Sequence, residues 1–239
     1  MSPLELPFKG KRTYFHGTDL LPALLHLAAP SASSADAAQA PLPQTIGVQT
    51  IGAQTISVQF HRLATRPVQA KWVDGEELQA LRAADALVAL LSLRAPERHL
   101  VILEQAQTEP ARMPITRVDW DEAATVRNAQ CTNDGNWQLA VPHVSLVSLF
   151  EHMIALNKQL LNTQFGPHEW LWARVDLPQW RAPNRAGTLE IAFLRQIRGS
   201  VFVSEVRFDT VPIASIYFSR SLQKTADPIL KVAPNDAAF

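Results

Sequence analysis

The sequence predicts an α+β protein built from two similar units, each a helix followed by antiparallel strands, related by a pseudo-twofold axis. Three observations carry this. Residues 86–94 and 98–105 are two β-runs joined by a short basic turn, and 188–195 and 199–206 repeat the arrangement. A third run follows each pair, 113–120 in one half and 211–218 in the other. An apolar helical pattern opened by a histidine precedes each set, His16 in the first half and His143 in the second. The polar stretch 121–136, with its Asn133-Asp134-Gly135-Asn136 turn, divides the units into 1–130 and 131–239.

The composition bounds the partners. The 239 residues are 47% apolar, enough for a substantial core. Lys+Arg balances Asp+Glu, 22 against 22, so there is no electrostatic footprint for nucleic acid or an acidic membrane. A single cysteine, Cys131, excludes an intramolecular disulfide and a cysteine-based zinc site. Residues 1–11 hold no apolar signal-peptide core, and no run approaches the roughly 18 apolar residues of a membrane span. The expectation is a soluble cytoplasmic protein.

In chain order, 12–15 reads as an extended lead-in. Thr18 or Asp19 is the expected N-cap of a short helix over 20–28, with Pro22 tolerated in its first turn and Pro30 ending it. Residues 31–43 are Ala/Ser/Pro-rich. A five-residue unit then recurs three times from Gln44 to Val58. A period of five fits neither strand nor helix, so 31–54 is expected to be a loop insertion, with only the last copy entering a core strand near 56–63. Removing about 20 of these residues should shift stability by only about 1–2 kcal/mol. Asp74-Gly75 and the Glu-rich stretch after it read as a turn and a helical turn.

The second unit opens with an extended 137–141. Residues 144–161 form the longest helical pattern. On a wheel, Leu146, Val147, Leu149, Phe150, Met153, Ile154, Leu156, Leu160 and Leu161 share an apolar arc, broken only by Asn157. Gly166-Pro167 is a turn, followed by strands over 169–177, 188–195, 200–208 and 211–219.

Several residues carry chemistry. His16 and His143 each stand just before a helix, where an imidazole acts as general base or polarises a carbonyl beside a helix N-terminus, or simply caps the junction. Asp19 either orients His16 at a substrate or faces the helix dipole. Glu151 is the acid nearest His143. Ser145, Ser148 and His152 form a stripe with no orienting acid, and no Gly-x-Ser-x-Gly elbow occurs. Asn157, an amide in an apolar arc, either presents its N–H₂ to a substrate carbonyl or satisfies backbone in the core. Trp170 and Trp172 share one face of a strand and either line an acyl pocket or fill a core. His61, His99 and His168 lack a partner His at metal-ligand spacing, so no metal is expected.

A helix followed by antiparallel strands wraps a curved sheet around that helix, and two such units can join edge to edge. From about residue 12 to 218 this pattern resembles the hotdog fold, in its tandem form, the double hotdog. The resemblance implies action on acyl thioesters of coenzyme A or acyl carrier protein, as thioesterase or 3-hydroxyacyl dehydratase. It implies no cofactor and leaves room for a homo-oligomer. It places the site where the units meet, with His16, His143, Glu151 and Asn157 as catalytic candidates and Asp19, Trp170 and Trp172 contacting substrate. His143-Val144-Ser145 lacks the asparagines of the thioesterase run, and helix 144–161 lacks that family's aspartate. A non-catalytic acyl-thioester binding or assembly protein of the same fold is therefore the alternative. A further resemblance, of Tyr14-Phe15-His16-Gly17-Thr18 and Tyr217-Phe218-Ser219 to ADP-ribosyltransferases, requires a split sheet with a cleft at His16.

Overall fold

The computed structural model describes residues 2–4, 6, 8–9, 14–15, 17–29, 55–94, 97–105, 117–142, 145–178, 183 and 185–220. Four helices and thirteen strands follow in the order β1 (Ser2–Leu4), β2 (Phe8–Lys9), α1 (Gly17–Ala28), β3 (Ile56–Phe60), β4 (Val68–Val73), α2 (Gly75–Ala83), β5 (Leu87–Arg94), β6 (Glu97–Glu104), β7 (Arg117–Val118), α3 (Glu122–Thr125), β8 (Gln130–Cys131), β9 (Trp137–Val141), α4 (Leu146–Phe165), β10 (Trp170–Leu177), β11 (Gly187–Ile197), β12 (Val201–Phe208) and β13 (Val211–Arg220). The insertion expected over 31–54, the two first repeat copies and the tail beyond 220 lie outside the described residues. The last repeat copy does enter a strand, β3.

Eleven strands form one antiparallel sheet in the order β1-β4-β6-β5-β3-β10-β13-β12-β11-β9-β8. The halves meet at β3 and β10, where Val58 pairs with Val175 and Ile56 with Leu177. All four side chains are fully buried. Each such burial contributes about 1.5–3 kcal/mol, so the seam is a hydrophobic joint as well as a hydrogen-bonded one.

The strand order differs between halves. Outward from the seam, the second half runs β10, β13, β12, β11, β9, so β11 to β13 form a meander. Tight turns close it, with Gly199 at φ +71° in the first. The first half runs β3, β5, β6, β4, β1. Here α2 carries the chain from β4 to β5, and β6 inserts between them. Asp74 caps α2 by accepting from Glu77 N at 2.8 Å. A small second core of Val73, Leu78, Leu87, Leu90 and Val101 packs beneath this helix. The repeated three-strand order read from the sequence is thereby corrected. Of the expected third run 113–120, residues 113–116 lie outside the described residues. Arg117–Val118 pairs in parallel with β2, in a separate two-stranded sheet.

The main core lies between the sheet and helices α1 and α4. Helix α4 buries Leu149, Phe150, Met153, Ile154, Leu156, Leu160 and Leu161, with Asn157 among them; of the arc the wheel predicts, Leu146 and Val147 are only half-buried. It is capped by Ser145, whose Oγ accepts from Ser148 N at 3.2 Å. Its far end stops at Gly166, at φ +84°. Helix α1 starts at Gly17, earlier than expected, so Thr18 and Asp19 are not caps but lie inside the first turn. Both are buried. The first turn packs against Trp172, and this tertiary contact overrides the local capping signal. No helix among the described residues is long and apolar enough to cross a membrane.

Candidate functional site

A cleft of about 200 Å³ opens where the halves meet. Its walls come from both. The first half supplies Phe15, Gly17 and Leu20 around the start of α1, and Phe60 to Leu63 at the end of β3. The second half supplies Ile154 and Lys158 of α4, and Trp170 to Ala173 of β10.

The inner wall is aromatic. Phe60 and Trp172 lie with ring centroids 4.7 Å apart, and Trp172 and Phe150 at 6.4 Å. The Trp172 indole is held by its Nε1 donating to Arg174 O at 3.1 Å. Trp170 packs on Phe202 at 4.9 Å and donates to Asn162 Oδ1 at 2.7 Å. That bond ties the start of β10 to the end of α4.

The mouth carries ion pairs. Lys158 Nζ pairs with Glu122 of α3 at 2.8 Å. Arg62 reaches Glu104 Oε2 with Nη1 at 2.9 Å. Glu104 also accepts from Thr65 N at 2.7 Å and from Arg66 N and Nη2 at 3.2 and 2.9 Å. Burial pushes this carboxyl up, but the bonds from Thr65, Arg66 and Arg62 outweigh it and hold its pKa down to about 2. The ion knot pins the turn after β3, and with it the cleft wall. The pKa of His61 is lowered, first by burial and then by Arg82, which favours its neutral form.

Of the residues singled out from the sequence, Trp170 and Trp172 line the cleft. His16 and His143 lie outside the described residues. His16 stands in the chain between cleft-lining Phe15 and Gly17. Glu151 is one helical turn before Ile154 and two before Lys158, on the same side of α4, but is not itself in the lining. Asn157 is fully buried, and neither amide atom has a partner among the described residues. Asp19 is buried in the first turn of α1. The Ser145, Ser148, His152 stripe is a capping structure: His152 Nδ1 donates to Ser148 O at 2.5 Å, not to a hydroxyl. Among the described residues no cluster of three His, Cys, Asp or Glu side chains could hold a metal.

Phe60, Arg62, Lys158 and Glu104 were not foreseen. Phe60 ends a strand that the sequence does place. Nothing local links Glu104 to two arginines some 40 residues earlier.

No protein-family profile and no curated protein matches the sequence. Among solved structures, the chain is similar to a tesB protein of Mycobacterium avium subs paratuberculosis, at 12% identity and TM-score 0.48, over 90% of this chain and 91% of that one. It is similar to an acyl-ACP thioesterase of Bacteroides thetaiotaomicron, at 10% identity and TM-score 0.44, over 91% and 96%. The dehydratase domain of PpsC from Mycobacterium tuberculosis, in complex with C12:1-CoA, matches at 10% identity and TM-score 0.42, over 87% and 85%. Each of these likenesses has a TM-score below 0.5 at 10–12% identity.

Proposed function

We propose that the chain is a double hotdog protein, with units 1–130 and 131–239 about a pseudo-twofold axis, that takes acyl thioesters of coenzyme A or acyl carrier protein into the seam cleft and hydrolyses or dehydrates them. The observation that supports this best is the cleft's position. It lies between the halves, and the first turn of α1 forms part of its wall beside an aromatic lining. First-turn N–H groups have no intrahelical acceptor and favour developing negative charge. A thioester carbonyl docked there would have its oxyanion stabilised as it forms.

In hydrolysis, His16 takes a proton from water, and the water oxygen bonds to the thioester carbonyl carbon. The tetrahedral adduct then expels the carrier sulfur, which leaves with that proton as the thiol. In dehydration the same base removes the α-proton of a 3-hydroxyacyl group, and an acid protonates the departing hydroxyl. Glu151 is the acid best placed by helical spacing. His143 precedes α4, whose start is on the order of 12 Å from Ile154 along the helix, so His16 is the favoured base.

A second reading, a non-catalytic binding protein of the same fold, is favoured by one observation. No carboxylate is among the described residues lining the cleft. The test is a panel of acyl-CoA and acyl-carrier-protein thioesters, scored for free thiol and, with 3-hydroxyacyl substrates, for enoyl product. Turnover supports the enzyme. Binding without turnover supports the binder. Neither would reject both. The ADP-ribosyltransferase resemblance needs a split sheet, whereas this sheet is continuous, and Tyr217 spends its hydroxyl on Asp176 at 2.9 Å.

A further inference from the structure

Resting on that reading, we infer that the cleft selects short straight-chain or aromatic acyl groups, and that Trp172 is the residue that sets the limit. The argument is one of volume and closure. Cavities of roughly 150 Å³ hold a benzene ring. The 200 Å³ here therefore admits an acyl group of about six to eight carbons, or one aromatic ring with a short spacer.

The inner end is closed by a ring that cannot swing aside. Trp172 is pinned by its hydrogen bond to Arg174 O and by Phe60 on one side. Gly17 abuts it so closely that a β-carbon there would meet the indole at 2.9 Å. Behind the indole stands Phe150, fully buried and absent from the cleft surface. Around it α1 and α4 are packed shut, with Leu21, Leu24 and Met153 each at 0% exposure. A longer chain has no path inward unless Trp172 moves. The opposite end is open: Leu63 and Leu171 line it at 52% and 37% exposure, an apolar lip over which a carrier arm would enter. Lys158 and Arg62 at that mouth are already ion-paired, with Glu122 and Glu104, so the chain-length order of the probes rests on the apolar part of the cleft.

The test is calorimetric titration of the whole protein with butanoate, hexanoate, octanoate, dodecanoate, hexadecanoate and phenylacetate. Affinity should rise about fourfold per added methylene up to octanoate and then fall at least about tenfold by hexadecanoate. Phenylacetate should bind within about threefold of octanoate. In Trp172→Ala the optimum should move to dodecanoate or beyond, while Trp172→Phe keeps the wild-type order. Hexadecanoate binding wild type as tightly as octanoate would overturn the inference. So would no acid binding at all, or an unchanged ladder in a folded Trp172→Ala. If that variant does not fold, the wild-type ladder decides. Thiol release from octanoyl-CoA is measured in parallel. The expected ladder without thioester binding or cleavage would remove the carrier reading and leave the pocket assignment standing. Thiol release with no chain-length cut-off would do the reverse.

Discussion

Gly17 faces the six-membered ring of Trp172 so closely that a β-carbon would lie 2.9 Å from Cε3 and 3.3 Å from Cζ3. The first residue of α1 is thus sized to a side chain from the other half of the protein. Gly17→Ala should lower stability by about 1–3 kcal/mol through overpacking, despite the better helix propensity of alanine. Urea denaturation would measure it, and tryptophan emission should shift as the indole moves. An alanine variant of equal or greater stability would show that the ring yields freely.

The Glu104 knot predicts a defined acid sensitivity. Its carboxyl titrates near 2 in the folded protein, against a usual value of 4.5. A depressed folded pKa contributes stability above the unfolded value and loses it as pH falls toward the folded one. Glu104→Gln should therefore cost about 1–2 kcal/mol at neutral pH, a figure reduced for the partly exposed arginines. The difference from wild type should shrink below about pH 4.5 and vanish near about pH 2. A pH-independent difference between the two proteins would mean that the ion knot is not its source.

Asn157 is fully buried on α4, with neither Oδ1 nor Nδ2 bonded among the described residues. A buried amide without partners costs about 1–3 kcal/mol. Asn157→Leu should accordingly raise the unfolding free energy by about that amount. If the amide serves a bound thioester, turnover or ligand affinity should fall in the same variant. Destabilisation would instead mean that the amide is satisfied in the folded protein.

For the proposed chemistry, His16→Ala and Glu151→Ala should each lower any thioesterase or dehydratase rate by about 100-fold or more. His143→Ala should matter less, since α4 begins some two turns before the cleft. Steady-state kinetics on folded variants would check this. Unchanged rates in all three would reject the site and put the binding-protein reading ahead.

What the sequence determined by itself was local. The apolar arc of α4 with its one amide, the paired runs at 86–105 and 188–206, and the entry of only the last repeat copy into a strand were legible because each rests on side-chain period and turn chemistry within a few residues. The α+β class followed from the same patterns. Strand order was not legible. A short helix, α2, takes the chain across the sheet and places β6 between β4 and β5, and no local signal distinguishes that crossover from a hairpin. Nor could the sequence set the start of α1, because Gly17 answers to Trp172 and not to its neighbours. The cleft was decided by tertiary structure too. Trp170 and Trp172 could be named in advance as an aromatic pair on one face, but Phe60, Arg62 and Glu104 join them only when β3 pairs with β10 and the turn after β3 folds onto the end of β6. Such contacts are selected by burial and charge pairing between distant segments, and those forces leave no period in the chain.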